Sequence, residues 1–193
     1  MTLEQVLDIY KRHGALLKGH FLLSSGLHSD TYLQSALVMQ YPVIAEEIIS
    51  ELVKKLYDVQ FTTVVSPAIG GIRFGYELAR LLKKKAIFTE RVDGKMTLRR
   101  GFQLSEGELV LIAEDVVTTG KSTKECIDAV LQTGAKVVAV TSLIDRSGGQ
   151  AKFDYPFYPL IRLEVKTYSP EECPLCKQNI ELVKPGSRFI KQN

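Results

Sequence analysis

The amino-terminal third of the chain has apolar positions at helical spacing. Leu3, Val6, Leu7 and Tyr10 recur three and four residues apart, which predicts a helix over residues 3–12 that ends near Gly14. Residues 21–34 predict two short extended pieces around a turn at Ser25-Gly26. Pro42 is placed to open a second helix, because proline is favoured at the first helical position. We interpret residues 1–40 as a small helix/hairpin hood.

The middle of the chain alternates fully apolar runs with helical segments. Extended segments are predicted at residues 62–66, 86–89, 109–113 and 137–144, and residues 92–108 are predicted to be loop. Strands without polar alternation are buried on both faces, as in a parallel sheet covered by helices. We therefore predict an α/β fold with a central, mainly parallel sheet flanked by helices. The sheet occupies residues 60–150 of a single domain, 1–193, and residues 165–193 form a carboxy-terminal tail.

Composition excludes several classes of protein. The 193 residues carry a net charge of only +3, which is too little to indicate nucleic-acid binding by itself. No apolar stretch approaches the roughly 20 residues of a transmembrane helix. The amino terminus lacks the cationic segment of a signal peptide. We expect a cytoplasmic protein without nucleic-acid or membrane partners.

The chemistry of the chain is concentrated in the run from Glu114 to Thr123. Two adjacent carboxylates follow an apolar strand, and four hydroxyl side chains and Gly120 follow them at the start of the next helix. Amide groups at a helix amino terminus, together with hydroxyls, bind anions, and glycine lets the backbone approach closely. Because ligands of open α/β sheets bind at the carboxyl ends of strands, we predict a ribose-phosphate site here. The acids would bind the ribose hydroxyls and the loop would bind the 5′-phosphate.

Two alternatives for this run are weaker. Asp115 and Thr118 could simply cap a helix, but capping does not require two acids, four hydroxyls and a glycine within ten positions. Gly120-Lys121-Ser122 looks like the end of an ATP-binding P-loop, which needs a glycine five residues earlier. Asp115 occupies that position, so an ATPase is not expected.

The three cysteines allow several interpretations. Cys173 and Cys176 have the spacing of half a zinc site, but structural zinc needs four ligands. Cys126 is distant in sequence, and the three histidines lie near the other end of the chain. A metal knuckle shared between subunits and a local disulfide remain open. The simplest interpretation, two thiols in a tight turn of the tail, is the one we favour.

The run from the strand at residue 109 through Gly120 resembles the signature of the phosphoribosyltransferase family. Residues 14–29, 66–71, 144–146 and 172–177 extend the resemblance nearly end to end, and they resemble the orotate-using members from thermophilic bacteria. The hairpin from Leu23 to Gln34 is not found in this form in purine-specific members. The resemblance implies an Mg²⁺-dependent pentosyltransferase of pyrimidine biosynthesis, with orotate and phosphoribosyl pyrophosphate as substrates. It also implies a homodimer whose lid loop is shared across the interface.

The resemblance assigns roles to individual residues. Orotate contacts fall on Thr118 and Arg146, and an arginine can bind the orotate carboxylate through two parallel hydrogen bonds. A surface salt bridge is the ordinary alternative for Arg146. Catalytic roles fall on Glu114 and Asp115, and Mg²⁺ would be held mainly by the substrate. The residues assigned to phosphoribosyl pyrophosphate are Glu114, Asp115, Val116, Val117, Thr118, Thr119, Gly120, Lys121, Ser122 and Arg91.

The segment from Arg91 to Arg100 is the predicted lid. Enterobacterial members carry a lysine at the position of Ser24 and an Arg-Lys pair at Glu90-Arg91, so this chain needs other cations for the leaving pyrophosphate. We choose Lys95 as the catalytic lid cation, and the neighbouring Arg99 and Arg100 stay open as alternatives. A solvated charged hairpin is the ordinary interpretation of the segment.

Two other functions remain to be separated from this one. A regulator with the same fold would sense the sugar pyrophosphate without catalysis, and it should carry a DNA-binding domain or a basic face. A purine phosphoribosyltransferase would keep the sugar site and change the base site.

Overall fold

The computed structural model describes residues 1–23 and 25–185, so Ser24 and the last eight residues of the tail lie outside the described part. The hood comprises helix α1 (Leu3–Arg12), strands β1 (Leu16–Leu22) and β2 (His28–Leu33), and helix α2 (Ser35–Met39). The chain continues through α3 (Pro42–Val53), a 3₁₀ turn (Lys54–Leu56), β3 (Thr63–Pro67), α4 (Gly70–Leu82), β4 (Lys85–Val92) and β5 (Lys95–Leu98). Then come β6 (Leu109–Val117), α5 (Lys121–Leu131), β7 (Lys136–Asp145), β8 (Phe157–Arg162), β9 (Thr167–Tyr168) and α6 (Pro174–Lys177).

The main sheet has six strands in the order β5-β4-β3-β6-β7-β8. All neighbouring pairs are parallel except β4 and β5, which form an antiparallel hairpin at the edge. This arrangement confirms the predicted α/β fold with a mainly parallel sheet flanked by helices. The strands that precede α4 and α5, β3 and β6, are adjacent, so the starts of both helices lie at the same edge of the sheet.

The two faces of the sheet carry separate apolar cores. Val64 and Leu111 point into a core shared with α1, α3 and α4, and the next residues in the chain, Val65 and Ile112, point into a core shared with α5. All four side chains are fully buried. Alternation between two buried faces explains why these strands are apolar throughout.

A second, three-stranded antiparallel sheet lies in the order β1-β2-β9. It joins the two ends of the chain, because β2 pairs with β9 and Phe21 pairs with Val183. Helix α1 begins at a capping box, in which Thr2 and Gln5 each accept a hydrogen bond from the other's backbone amide. Its buried face, which includes Tyr10, packs against the main core, and Tyr10 is hydrogen-bonded to Ser35 at 3.0 Å.

Three predictions of secondary structure need correction. Residues 92–108 are not all loop, because β4 continues to Val92 and β5 returns along it, with Met96 buried in the second core. Strand β6 does not end at Ala113 but continues through the acidic pair to Val117. The sheet also extends beyond residue 150, since β8 pairs with β7.

Candidate active site

The turn between β6 and α5 forms one wall of a cavity of about 500 Å³. Gly120 precedes the helix with φ of 77°, a conformation that favours glycine, and a Cβ there would lie 3.2 Å from the ring of Phe153. The amide of Lys121 donates a hydrogen bond to the Thr119 hydroxyl at 3.3 Å. The lining comprises Ser25, Arg91, Glu114, Val116, Val117, Thr118, Thr119, Gly120, Lys121, Ser122 and Thr123. The structure thus brings the predicted phosphate loop together around one cavity.

The acidic pair lies in the last part of β6, where Glu114 lines this cavity and Asp115 does not. Glu114 is buried, and its burial together with the charge of Asp115 raises the pKa of Glu114 well above its ordinary value. Burial also raises the pKa of Asp115. A Cβ at Gly70 would lie 3.0 Å from both carboxylate oxygens of Asp115, so the start of α4 approaches this carboxylate closely. The pair creates a negative potential where a cation or hydrogen-bond donors would stabilise it.

A second cavity, of about 750 Å³, adjoins the first, and both share Ser25, Thr118 and Thr119 as lining residues. Its walls come from segments far apart in the sequence. They are Leu23, Ser25 and Leu27 of the hood hairpin, residues 146–148 and Gln150 after β7, and residues 164–167 after β8. The predicted orotate contacts, Thr118 and Arg146, therefore lie in the same cavity.

Arg146 is held in place through its backbone neighbours. Its amide donates to the carbonyl of Val117 at 2.7 Å, which ties it to the end of β6. Asp145 accepts hydrogen bonds from the amide and hydroxyl of Ser147, at 2.9 and 2.6 Å, and fixes the turn that follows. Burial lowers the pKa of the Arg146 guanidinium, and its Nε is buried without a hydrogen-bond partner among the described residues. An anionic acceptor in this cavity would relieve that unpaired donor.

Tyr32 of β2 lines neither cavity, but it interacts electrostatically with two of the predicted site residues. Burial and the charge of Asp115 raise the pKa of Tyr32, while the charge of Arg146 opposes the shift. The phenol therefore lies within the electric field of both predicted site residues. The sequence around Tyr32 does not predict this interaction, because β2 approaches the main sheet through a tertiary contact.

The cations of the predicted lid do not gather at this chain's own cavity. Arg91 lines the phosphate cavity and forms an ion pair with Glu125 of α5. Lys95 instead lines a separate groove together with Glu125. Arg100 pairs with Glu90 at 3.0 Å, and Arg99 lies 4.0 Å from the same carboxylate. Of the four cations, only Arg91 reaches the site of its own subunit.

The parallel sheet, the acidic pair and the anion loop at the carboxyl end of β6 together define the phosphoribosyltransferase class. The family model of the phosphoribosyl transferase domain matches residues 39–172. The orotate phosphoribosyltransferase of Caldanaerobacter subterraneus subsp. tengcongensis is 52% identical over 190 residues, which cover 98% of this chain and 100% of the relative. That of Caldicellulosiruptor saccharolyticus is 50% identical and covers 99% and 100%. The chain belongs to the orotate phosphoribosyltransferase family, and the predicted resemblance is confirmed.

Solved structures support the fold. An orotate phosphoribosyltransferase from Aeropyrum pernix superposes with a TM-score of 0.68 at 24% identity, covering 82% of this chain and 93% of that one. An adenine phosphoribosyltransferase from Thermoanaerobacter pseudethanolicus gives 0.61 at 18% identity, covering 69% and 88%. The fold is thus similar to that of proteins named for different bases. No helix within residues 1–23 and 25–185 has the length and apolarity needed to span a bilayer.

Proposed function

We propose that the chain transfers the phosphoribosyl group from phosphoribosyl pyrophosphate to orotate, giving orotidine 5′-phosphate and pyrophosphate. The observation that carries the proposal is the pairing of a loop suited to anions with an adjoining cavity lined by the half-buried Arg146, whose buried Nε has no partner among the described residues. Orotate carries a carboxylate, whereas adenine and hypoxanthine do not. The names of the 50–52% identical relatives support the same substrate.

The sugar phosphate occupies the first cavity. The 5′-phosphate accepts hydrogen bonds from the amides and hydroxyls of Thr118–Ser122, which lie at the start of α5. Glu114 and Asp115 accept hydrogen bonds from the ribose hydroxyls. Their negative potential also stabilises the positive charge that develops on C1′ as pyrophosphate departs.

The base occupies the second cavity. Arg146 binds the orotate carboxylate. The reacting ring nitrogen then faces C1′ at the place where the two cavities meet, beside Thr118, which lines both. Positioning of the two substrates then supplies much of the catalysis, since no group of the protein must form a covalent bond.

The acidic pair also fits Mg²⁺, the metal that we infer from the family. Magnesium prefers oxygen ligands and keeps several of its water or substrate ligands. Asp115 and Glu114 offer carboxylate oxygens close to each other, and burial together with the charge of Asp115 raises the pKa of Glu114, so a nearby cation would favour the ionised form of the pair. When bound, the metal would neutralise the charge of the pyrophosphate. Most of its ligands would come from the substrate.

The lid completes the proposal. Because Lys95, Arg99 and Arg100 lie away from the cavity of their own chain, we infer that the β4–β5 hairpin acts on the neighbouring subunit of a homodimer. There the lid cations neutralise the departing pyrophosphate, with Lys95 as our choice for the catalytic residue, and exclude water. We also expect a cytoplasmic setting.

The direct test measures the loss of orotate absorbance with phosphoribosyl pyrophosphate and Mg²⁺. Turnover of orotate, with none of adenine or hypoxanthine, is the expected result. Turnover of a purine in place of orotate would overturn the proposed substrate. Binding of the sugar pyrophosphate without turnover of any base would indicate a regulator instead.

A further inference from the structure

Four metal-binding side chains from opposite ends of the chain meet at the side of the hood. They are His20 of β1, His28 of β2, and Cys173 and Cys176 at the start of α6. One ligand atom from each lies within 4.8 Å of all the others. The expectation that the histidines are too remote to join the cysteine pair is therefore wrong, because the hairpin and the tail fold against each other.

The distances within the cluster suit a tetrahedral metal. His20 Nε2 and His28 Nδ1 are 2.9 Å apart, and the Cys173 sulfur lies 3.4 Å from His20 Nε2. The Cys176 sulfur lies 3.7 Å from His20 Nε2 and 3.3 Å from His28 Nδ1. Ligand atoms around a tetrahedral zinc are about 3.3–3.8 Å apart, given the usual zinc–nitrogen and zinc–sulfur bond lengths. The two nitrogens are closer than this range and would move apart by about 0.4 Å to receive an ion at the centre.

The surroundings orient the donors for this role. His20 Nδ1 lies 2.8 Å from the carbonyl of Ile180, which requires Nδ1 to carry the proton and leaves a lone pair on Nε2, toward the cluster. A metal-bound histidine normally donates its other N–H in this way. His20, His28 and Cys173 are buried, and the two cysteines are not joined to each other. A two-residue spacer between cysteines at a turn is also typical of structural zinc sites.

We propose that His20, His28, Cys173 and Cys176 form a structural zinc site that holds the tail against the hood. All four positions are filled by the protein, so the ion has no open position for catalysis. The site lies next to the second cavity, since His28 directly follows the lining residue Leu27 and β9, which pairs with β2, begins at the lining residue Thr167. Zinc therefore fixes two walls of the cavity that we assign to the base.

The first test is metal content and does not depend on activity. Protein produced with added zinc and purified under reducing conditions without chelators should contain about one zinc ion per chain by elemental analysis. His28→Ala and Cys176→Ser should each lose most of it. Cys126→Ala and His13→Ala are matched controls from outside the cluster, and both should keep it. Cys176 is the more exposed cysteine, so its variant remains informative if Cys173→Ser does not fold.

Cobalt substitution tests the ligand set itself. Protein refolded with Co²⁺ should show the intense visible bands of a tetrahedral site and a thiolate charge-transfer band, and Cys176→Ser should weaken the latter. Removal of the metal should lower Tm and raise the orotate KM about tenfold, with little change in the KM of the sugar pyrophosphate. Metal-free protein with an unchanged Tm after zinc addition, or a Cys173–Cys176 disulfide in freshly prepared protein, would overturn the proposal. Because zinc content is measured without substrate, a protein that binds zinc but ignores orotate would refute only the proposed function.

Discussion

The phosphate cavity takes most of its lining from one stretch of the chain, Glu114 and residues 116–123, whereas the base cavity is lined from four separate stretches. These are Leu23, Ser25 and Leu27, then Thr118 and Thr119, then residues 146–148 with Gln150, and finally residues 164–167. Most of the first site therefore belongs to β6, the turn after it and the start of α5, and only Ser25 and Arg91 come from other segments among the lining residues. The second exists only when the hood, the turn after β7 and the tail lie together. Chemistry in the first should therefore depend on local side chains, and binding in the second should depend also on distant contacts.

The largest effect is expected at the phosphate cavity. Asp115→Asn keeps the shape of the side chain but removes the negative charge to which we assign the ribose contact and the stabilisation of the developing cation at C1′. We expect kcat to fall on the order of 10²-fold or more, which is typical for removal of one electrostatic contact. Steady-state kinetics would check this, with Asp58→Asn as the control, because Asp58 is exposed and lines neither cavity. A wild-type kcat would mean that the acidic pair has only a structural role.

The next effect should be confined to the base cavity. Arg146→Ala removes the proposed carboxylate contact, and we expect the orotate KM to rise about 10–100-fold, in line with the loss of a charged hydrogen bond. The KM of phosphoribosyl pyrophosphate should change little. Arg12→Ala is the control, because Arg12 lies on α1, is exposed, and pairs with Asp8 away from both cavities. Equal increases in the KM of both substrates would mean that Arg146 does not act on the base cavity alone.

Mixed dimers test which subunit supplies the lid to the phosphate cavity. Asp115→Asn and a triple variant with Lys95, Arg99 and Arg100 changed to alanine should each be nearly inactive. If the lid acts on the neighbouring subunit, one of the two sites in a mixed dimer is intact. Random pairing after joint refolding then restores about a quarter of wild-type activity. Continued inactivity, with mixed dimers verified by native mass spectrometry, would place the lid on its own subunit.

The smallest effect concerns stability and pH. The pKa of Glu114 is raised in the folded protein, so the folded state binds more protons than the unfolded state between the unfolded and folded pKa values, and stability falls as pH rises through that window. Glu114→Gln removes the free-energy cost of ionising a buried carboxyl group. We expect Tm at pH 7 to rise by about 2–4 °C, equivalent to about 1 kcal/mol. The gain should disappear near pH 4, and thermal unfolding at both pH values would check it. A lower Tm at pH 7 would show that the carboxylate stabilises the fold.

The sequence was informative where structure depends on neighbours in the chain. The parallel sheet follows from local patterns and is confirmed. The phosphate loop also follows from a local pattern and stays a prediction, although its residues, except Asp115, line one cavity. Strand β6 is longer than predicted because Glu114 and Asp115 end the apolar pattern while pairing with β7 continues to Val117. Strand β5 was missed because it is short, contains Lys95 and lies between charged residues, so that its one buried side chain, Met96, gives no apolar pattern.

Contacts between segments that are far apart in the chain could not be predicted from local patterns. Nothing local indicates that His20 meets Cys173, because the two are 153 positions apart and are joined by the pairing of β1 with the tail. Tyr32 is another case, since its relation to Asp115 depends on how the hood rests on the sheet. Spacing can suggest two metal ligands, but it cannot supply the remaining pair from a different element.

The contact between His20 and Ile180 spans 160 positions, and this separation has a consequence for biosynthesis. A ribosome makes β1 long before the tail segment that pairs with it. The contact between β1 and the tail therefore forms only after the strands of the central sheet have been made. The nascent chain would then acquire its sugar-phosphate loop before its base cavity. Hydrogen-exchange labelling during refolding should accordingly show the amides of Leu22 and Val183 protected later than those of β6.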